Sequence, residues 1–460
     1  MQAQKPMTQE QDPSIKLPRP VLRDIPPGNF YVGPGTKIEV EFGNQERILN
    51  LEEGAFPFPP TEKIQGILNE INGNGELLNS ILEYGSVSNE PFIRNIQTLL
   101  EIEGETAEKV YIVGSGGGQD EIIERSITQT VDYMSVVIAP APFYPHVANF
   151  AERNFHMPLA PVERPLGEPF EDAVRETIED RKLLHQHQAG YDEEAAFVFL
   201  NTPCSPTGET VSYDLIEKLV QAGDRKDPND PDDSRENDII YIDLGLGLDL
   251  ELARKLVKLA AKHSNVIIGF SIPSKELGVA NLRFGFAVMS KAVGEVYEKA
   301  RRIMDIPGHT QLIMNRLSDP DIVIPQLKKR EEITVYWKEK FMFVLDKLNE
   351  GAPFKVERLL TDPRSLVMTL TSKDENLYNK MAARNIETAK GSAWRSTHSE
   401  MTDAYVRIRP PMNEEDFNEF FRRLYLIVHN IGANRDQSEG LFRRFMESIS
   451  DYSPPPVFEG

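Results

Sequence analysis

Ser274-Lys275-Glu276-Leu277-Gly278-Val279-Ala280-Asn281-Leu282-Arg283-Phe284-Gly285 follows closely on an apolar run, Val266 to Phe270, that predicts a buried strand. A single lysine sits at the exit of that strand. Glycines follow three and ten residues later, and an arginine eight residues later. A lysine at the mouth of a buried strand loses its proton more readily through desolvation and becomes a nucleophile towards carbonyl carbons. The glycines let backbone approach a bound group, and the arginine fork suits phosphate. A surface lysine and arginine on a loop after a core strand would read the same way, so the rest of the chain decides.

The chain has 460 residues, more than one hydrophobic core usually spans, so two or more domains are expected. A net charge of −21 argues against nucleic acid and anionic membrane as partners. The one cysteine, Cys204, excludes an internal disulfide framework and fits a reducing compartment. No 18-residue apolar run and no signal-peptide core are evident, so a cytoplasmic protein is expected. The eight histidines show no metal-ligand spacing, and no metal is expected.

Between about residues 109 and 290, apolar runs alternate with helical patterns. The runs are Val110–Val113, Val136–Ile138, Ala195–Leu200, Ile239–Ile242, Val266–Phe270 and Phe284–Val288. Such alternation predicts a mostly parallel sheet covered by helices on both faces, the α/β class. Residues 1–50 read as an N-terminal arm and the start of a small domain, 51–325 as the large domain, and 326–460 as a smaller α+β domain with a tail. Within the last, Ile333–Leu348 and Glu415–His429 read as helices, and Ser365–Leu370 and Tyr405–Ile408 as strands. The segment 224–238, dense in Asp, Pro and Asn, reads as a solvated surface insertion.

Ligands of open parallel sheets bind outside the carboxyl ends of the strands, and several ends here carry suggestive residues. Gly114-Ser115-Gly116-Gly117-Gly118-Gln119 leads into a helix, where exposed N–H groups and the helix dipole can cradle phosphate. A plain tight connector is the alternative. Ile239–Ile242 presents Asp243, and Ala195–Leu200 runs into a turn ending Ser205-Pro206-Thr207-Gly208. A Schiff-base lysine beside a phosphate site suggests pyridoxal 5'-phosphate (PLP).

The order and spacing of these motifs, over about residues 50 to 430, resemble those of fold-type I PLP enzymes, the class I/II aminotransferase family. The resemblance implies an aspartate-aminotransferase-like fold. It further implies that Lys275 carries the Schiff base and that Ser274 lies beside the cofactor. Asp243 would face the pyridine nitrogen, and Arg283, Gly117, Gly118 and Gln119 would hold the phosphate. Tyr144, ahead of Pro145 and preferred over Phe143, would stack on the ring. Glu83-Tyr84-Gly85 resembles the segment whose tyrosine reaches the partner subunit's phosphate, which implies a homodimer with shared active sites. In Tyr405-Val406-Arg407-Ile408-Arg409, Arg407 would grip the substrate carboxylate. Gly54 and Trp394 would lie on the substrate side.

Three positions depart from the family pattern: Ile272 stands three residues before the lysine where Ser is usual, and towards the cofactor's phenolic oxygen Ser205 stands where Asn is usual and Leu246 where Tyr is usual. The customary Asn and Tyr both donate to that oxygen. The expected reaction is amino transfer from an amino acid to a 2-oxo acid, acting at the α-carbon. The departures keep elimination, replacement or cyclisation of an amino acid as the alternative. A non-catalytic regulator on the same scaffold is disfavoured by the acidity of the chain.

Overall fold

The computed structural model describes residues 48–52, 60–77, 80, 88–131, 135–163, 167–187, 195–224, 237–299, 306–373, 376–394, 404–432 and 435–449. All belong to the unit Phe42–Gly460.

In chain order, a short strand β1 (Leu49–Asn50) precedes β2 (Val110–Ser115), β3 (Val137–Pro140), β4 (Leu159–Val162) and β5 (Phe197–Asn201). β6 (Ile239–Asp243), β7 (Val266–Phe270) and β8 (Gly285–Ser290) follow. Strands β2 to β8 form one sheet in the order β2-β8-β7-β6-β5-β3-β4. Every pairing is parallel except the two made by β8.

β5, β6 and β7 are buried at every position, which requires cover on both faces. On one face Phe197, Phe199, Tyr241 and Ile267 pack with Ile122, Ile123 and Ile127 of the Gln119–Thr130 helix. On the other, Val198, Leu200, Ile240 and Ile242 pack with Leu219, Leu256 and Leu259 from the Tyr213–Gly223 and Leu250–Ala260 helices. No apolar run foreshadows β4, because it is short and carries Pro161. The missing N–H is tolerated there because β4 is an edge of the sheet.

The antiparallel strand matters for the site. Only two short helical turns, Ile272–Lys275 and Ala280–Leu282, lie between β7 and β8. That connection has no crossover helix, so β8 returns antiparallel beside β7. Its first residue therefore lies at the carboxyl edge of the sheet, where Gly285 pairs with Ser115 at the end of β2. Lys275, Arg283 and the glycine turn after β2 are brought to the same edge.

The helix expected from Ile333 begins earlier, at Pro320, and runs to Leu348. Asp319 caps it by accepting from the Asp321 N–H at 2.9 Å, and Pro320 suits the first turn, where an amide hydrogen has no partner. Pro325 is tolerated inside because burial of Ile322, Val323 and Leu327 outweighs one lost hydrogen bond. Farther along, Trp337, Phe341, Val344 and Leu348 join a second core with Phe417, Phe420, Phe421 and Leu424 of the Glu414–Val428 helix. Along this helix the packing passes from the first core, at Leu327, to the second, at Ile333.

The second lobe adds β9 (Glu357–Arg358), β10 (Met368–Thr371), β11 (Ile386–Glu387), β12 (Ala389–Lys390) and β13 (Tyr405–Ile408). Four of them form an antiparallel sheet in the order β12-β13-β10-β9, and β1 pairs parallel with β11.

A buried ion pair ties the lysine loop to the long helix. Glu276, next to Lys275, meets Arg330 Nε, and both side chains are 2% exposed. Glu276 also accepts from the Leu248 N–H at 3.0 Å, and Arg330 donates to the Arg364 carbonyl at 3.1 Å. Removing one partner strands the other charge. Glu276→Ala should therefore cost about 3–5 kcal/mol in urea denaturation, and a loss below about 1 kcal/mol would show that the pair is not holding the loop.

Candidate active site

Lys275 ends the short Ile272–Lys275 helix, its N–H bonded to the Ser271 carbonyl at 3.0 Å. Burial pushes its amine down to about 8, and the positive charges of Arg407 and Arg283 act in the same direction. Asp120 and Asp243 oppose them. The lysine thus lies among two arginines and two aspartates, close enough to neutrality to act as a nucleophile or base near physiological pH.

Asp243 closes β6, in register with Asn201 on one side and Gly269 on the other. Burial raises its carboxyl to about 7, and Asp120 adds to the rise. A hydrogen bond from the Gly245 backbone and the charge of Lys275 pull it back. Gln119 Nε2 donates to Asp243 Oδ1 at 2.9 Å and to Tyr241 Oη at 3.0 Å.

The glycine turn runs into the 12-residue Gln119–Thr130 helix through Gly118, whose φ of +81° suits glycine. Arg283 reaches across it: Nη2 is 3.4 Å from the Gly117 carbonyl and 3.6 Å from Asp120 Oδ2. The Gly117 N–H is taken by Glu121 Oε2 at 2.7 Å, whereas the N–H groups at the start of the helix, those of Gly118, Gln119 and Asp120 among them, have no intrahelical partner. The Gln119 side chain turns away from this turn, towards Asp243.

Phe143 and Tyr144 separate clearly. Phe143 is a core residue, whereas Tyr144 is half-buried, donates to Asp120 Oδ1 at 3.0 Å and stacks on His146 with centroids 4.8 Å apart. Asp120 is the hub that sequence reading missed, with His146 Nδ1 at 3.5 Å as a further neighbour. The available signal was an acidic residue in the first turn of a helix that follows a glycine turn.

From the second lobe, β13 presents Arg407. Its guanidinium lies 4.7 Å from the Trp394 ring centroid, and Nη2 donates to the Glu52 carbonyl at 2.5 Å. Trp394 Nε1 in turn donates to Ser205 Oγ at 3.3 Å. One indole therefore connects the arginine to the serine that replaces the usual asparagine. The Arg409 backbone N–H bonds the Leu51 carbonyl at 2.8 Å, and its Nη2 donates to the Asn50 carbonyl at 3.4 Å. Leu246 is buried in the second core and offers no polar group. Ser274 sits beside Lys275 on the short helix. Gly54 and Tyr84 lie outside the described residues. Among the described residues no group of three or more His, Cys, Asp or Glu is arranged to hold a metal, and no helix is long and apolar enough to cross a membrane.

The sequence model of the family "Aminotransferase class I and II" matches residues 46–424. A histidinol-phosphate aminotransferase of Methanocaldococcus jannaschii is 23% identical over 345 residues, covering 70% of this chain and 80% of that protein. Histidinol-phosphate aminotransferase 2 of Archaeoglobus fulgidus is 23% identical over 283 residues, 62% of this chain and 68% of its own. Among solved structures, the multiple substrate aminotransferase of Thermococcus profundus superposes with a TM-score of 0.62 at 17% identity, over 83% of this chain and 91% of that one. The histidinol-phosphate aminotransferase of Clostridium acetobutylicum gives 0.61 at 16%, over 84% and 100%. With a family match from just before β1 into the Glu414–Val428 helix, this chain belongs to the aminotransferase class I and II family, PLP-dependent transferases of fold type I.

Proposed function

We propose that the protein binds PLP at the carboxyl edge of the large sheet and moves an amino group from an amino acid to a 2-oxo acid. The observation that carries this reading is the convergence of Lys275 and Asp243, one amine held near neutrality and one buried carboxylate, beside Arg283 and a glycine turn. This donor set fits the cofactor. It supplies a nucleophile for an aldehyde, an anion for a pyridinium, and a cation with helix N–H groups for a phosphate.

When bound, the cofactor would hold the substrate nitrogen covalently and draw away the electron pair left at Cα. The chain's own residues would do the rest. Lys275 Nζ, neutral in the working state, removes the proton at Cα and returns it one position away. Asp243 Oδ holds the proton on the ring nitrogen. Arg283 and the N–H groups at Gly118, Gln119 and Asp120 orient the phosphate. Tyr144 would stack on the ring, and Ser205, which accepts from Trp394 Nε1, would stand in for the usual donor to the phenolic oxygen. Arg407 fixes the substrate carboxylate, and its stacking on Trp394 fixes the angle of the fork. Tyr84 and Gly54 keep the roles implied by resemblance, and Tyr84 supports a homodimer with shared active sites. We assign the cytoplasm, a compartment compatible with the single buried thiol Cys204.

Ser205 and Leu246 favour a second outcome at the same carbon, namely elimination, replacement or cyclisation. A panel of amino donors that includes histidinol phosphate, assayed with and without a 2-oxo acid, separates the two. Amino transfer predicts a new amino acid that appears only with the acceptor. Release of a side-chain fragment without an acceptor would overturn it. In the productive pair, Arg407→Lys should raise KM for a carboxylate-bearing substrate about 10–100-fold through loss of the bidentate fork, and an unchanged KM would remove Arg407 from the site.

A further inference from the structure

The Gln119 side chain has every polar atom engaged, and none of its partners belongs to the phosphate turn. Its two N–H hydrogens go to Asp243 Oδ1 at 2.9 Å and Tyr241 Oη at 3.0 Å, and its Oε1 accepts from Ser271 Oγ at 3.1 Å. An ionised carboxylate only accepts, so the amide must present its nitrogen to Asp243, which fixes its orientation. The surroundings are shaped around this amide. Gly269 lies in register with Asp243, and a Cβ there would fall 2.1 Å from Gln119 Nε2 and 2.2 Å from Tyr241 Oη. Tyr241 stands two residues before Asp243 and so on the same face of β6.

We propose that Gln119 is a positioning residue for Asp243: its amide aims the carboxylate at the cofactor's ring nitrogen and keeps it ionised, with Tyr241 and Ser271 locking the amide in place. The inference rests on the PLP reading above.

Other groups facing Asp243 do not serve in this way. Asp120, from the first turn of the Gln119–Thr130 helix, disfavours ionisation, and Lys275, from the β7–β8 connection, favours it as a charge. Tyr241, on Asp243's own strand, is buried, and its hydroxyl is held in the neutral form by that burial. The Gly245 N–H and Gln119 are the hydrogen-bond donors to the carboxylate. Losing Gln119 therefore leaves a buried carboxylate half-solvated and biased towards its protonated form.

The test uses PLP-loaded protein and reads the pH midpoint of the bound cofactor's visible absorbance and the dissociation constant for PLP. Melting of the unloaded protein reports folding. Gln119→Leu should move the midpoint upward by about one pH unit and weaken PLP binding about tenfold, the loss of one charge-assisted hydrogen bond. A protonated Asp243 cannot hold the ring proton, and a neutral ring withdraws less electron density from the lysine-linked nitrogen. Gln119→Glu, of the same size, should move it further the same way by placing a second anion beside Asp243. Gly269→Ala, which displaces the amide while keeping every polar side chain, should follow Gln119→Leu. If Gln119→Glu and Gly269→Ala leave the midpoint where it is in the parent, the amide merely fills space and the proposal is overturned. If Gln119→Leu does not fold, these two variants carry the test. A parent protein with no cofactor absorbance at all would overturn the PLP reading itself, an outcome distinct from an unmoved midpoint.

Discussion

Lys275→Ala should lower turnover by about 10⁴-fold or more, because one side chain supplies both the covalent attachment and the proton transfer at Cα. Lys275→Arg should fail as badly, since a guanidinium does not give up its proton. Single-turnover assays with saturating PLP check both variants, and a loss of tenfold or less in either would remove Lys275 from the chemistry. The same change has a signature in stability. Burial lowers the folded-state amine to about 8 from its ordinary 10.5. A base with a lowered folded pKa costs stability below that pKa, and the cost is relieved as pH rises from about 8 towards 10.5. Unloaded Lys275→Ala should therefore melt higher than the parent at pH 7, with the difference closing at alkaline pH. Activity and stability move in opposite directions, as expected where a buried cation is kept for chemistry.

Asp243→Asn should reduce turnover by about 10²–10³-fold with little change in shape, since an amide of equal size cannot neutralise a ring cation. Its stability effect runs the other way along the pH axis. Burial raises the folded-state carboxyl to about 7 from 3.8. An acid with a raised folded pKa holds its full contribution below pH 3.8 and loses it as pH climbs through 7. The unloaded parent should thus lose melting temperature between pH 4 and 7 relative to Asp243→Asn, and the two should coincide near pH 4. Equal turnover in variant and parent would show that Asp243 does not face the ring.

The strand ends were legible because strands buried on both faces read as plain apolar runs, and residues at their exits stand out against them. Lys275 and Asp243 each follow such a run. Phe143 and Tyr144 are adjacent in the chain and differ in burial, the first in the core and the second bonded to Asp120, a difference that only the folded chain reveals. Less legible was anything decided by side-chain direction. Gln119 sits in the phosphate turn by position, yet its side chain turns through the gap left by Gly269 to reach Asp243. No periodicity announces that a glycine in one strand makes room for an amide from a distant helix. The bridge from Arg407 through Trp394 to Ser205 joins residues far apart in the chain and depends on how the second lobe meets the first. The early start of the Pro320–Leu348 helix was hidden by Pro325, whose local cost is outweighed by burial that only the folded chain reveals.

Borohydride reduction of the protein after incubation with PLP, followed by digestion and mass mapping, tests the central claim most directly. One modified peptide per chain is expected, with the reduced pyridoxyl group on Lys275 and none in Lys275→Ala. Modification spread over surface lysines, or a single adduct on another residue such as Lys338, which is buried against the Thr361 hydroxyl and the Ser365 carbonyl, would remove Lys275 from that role.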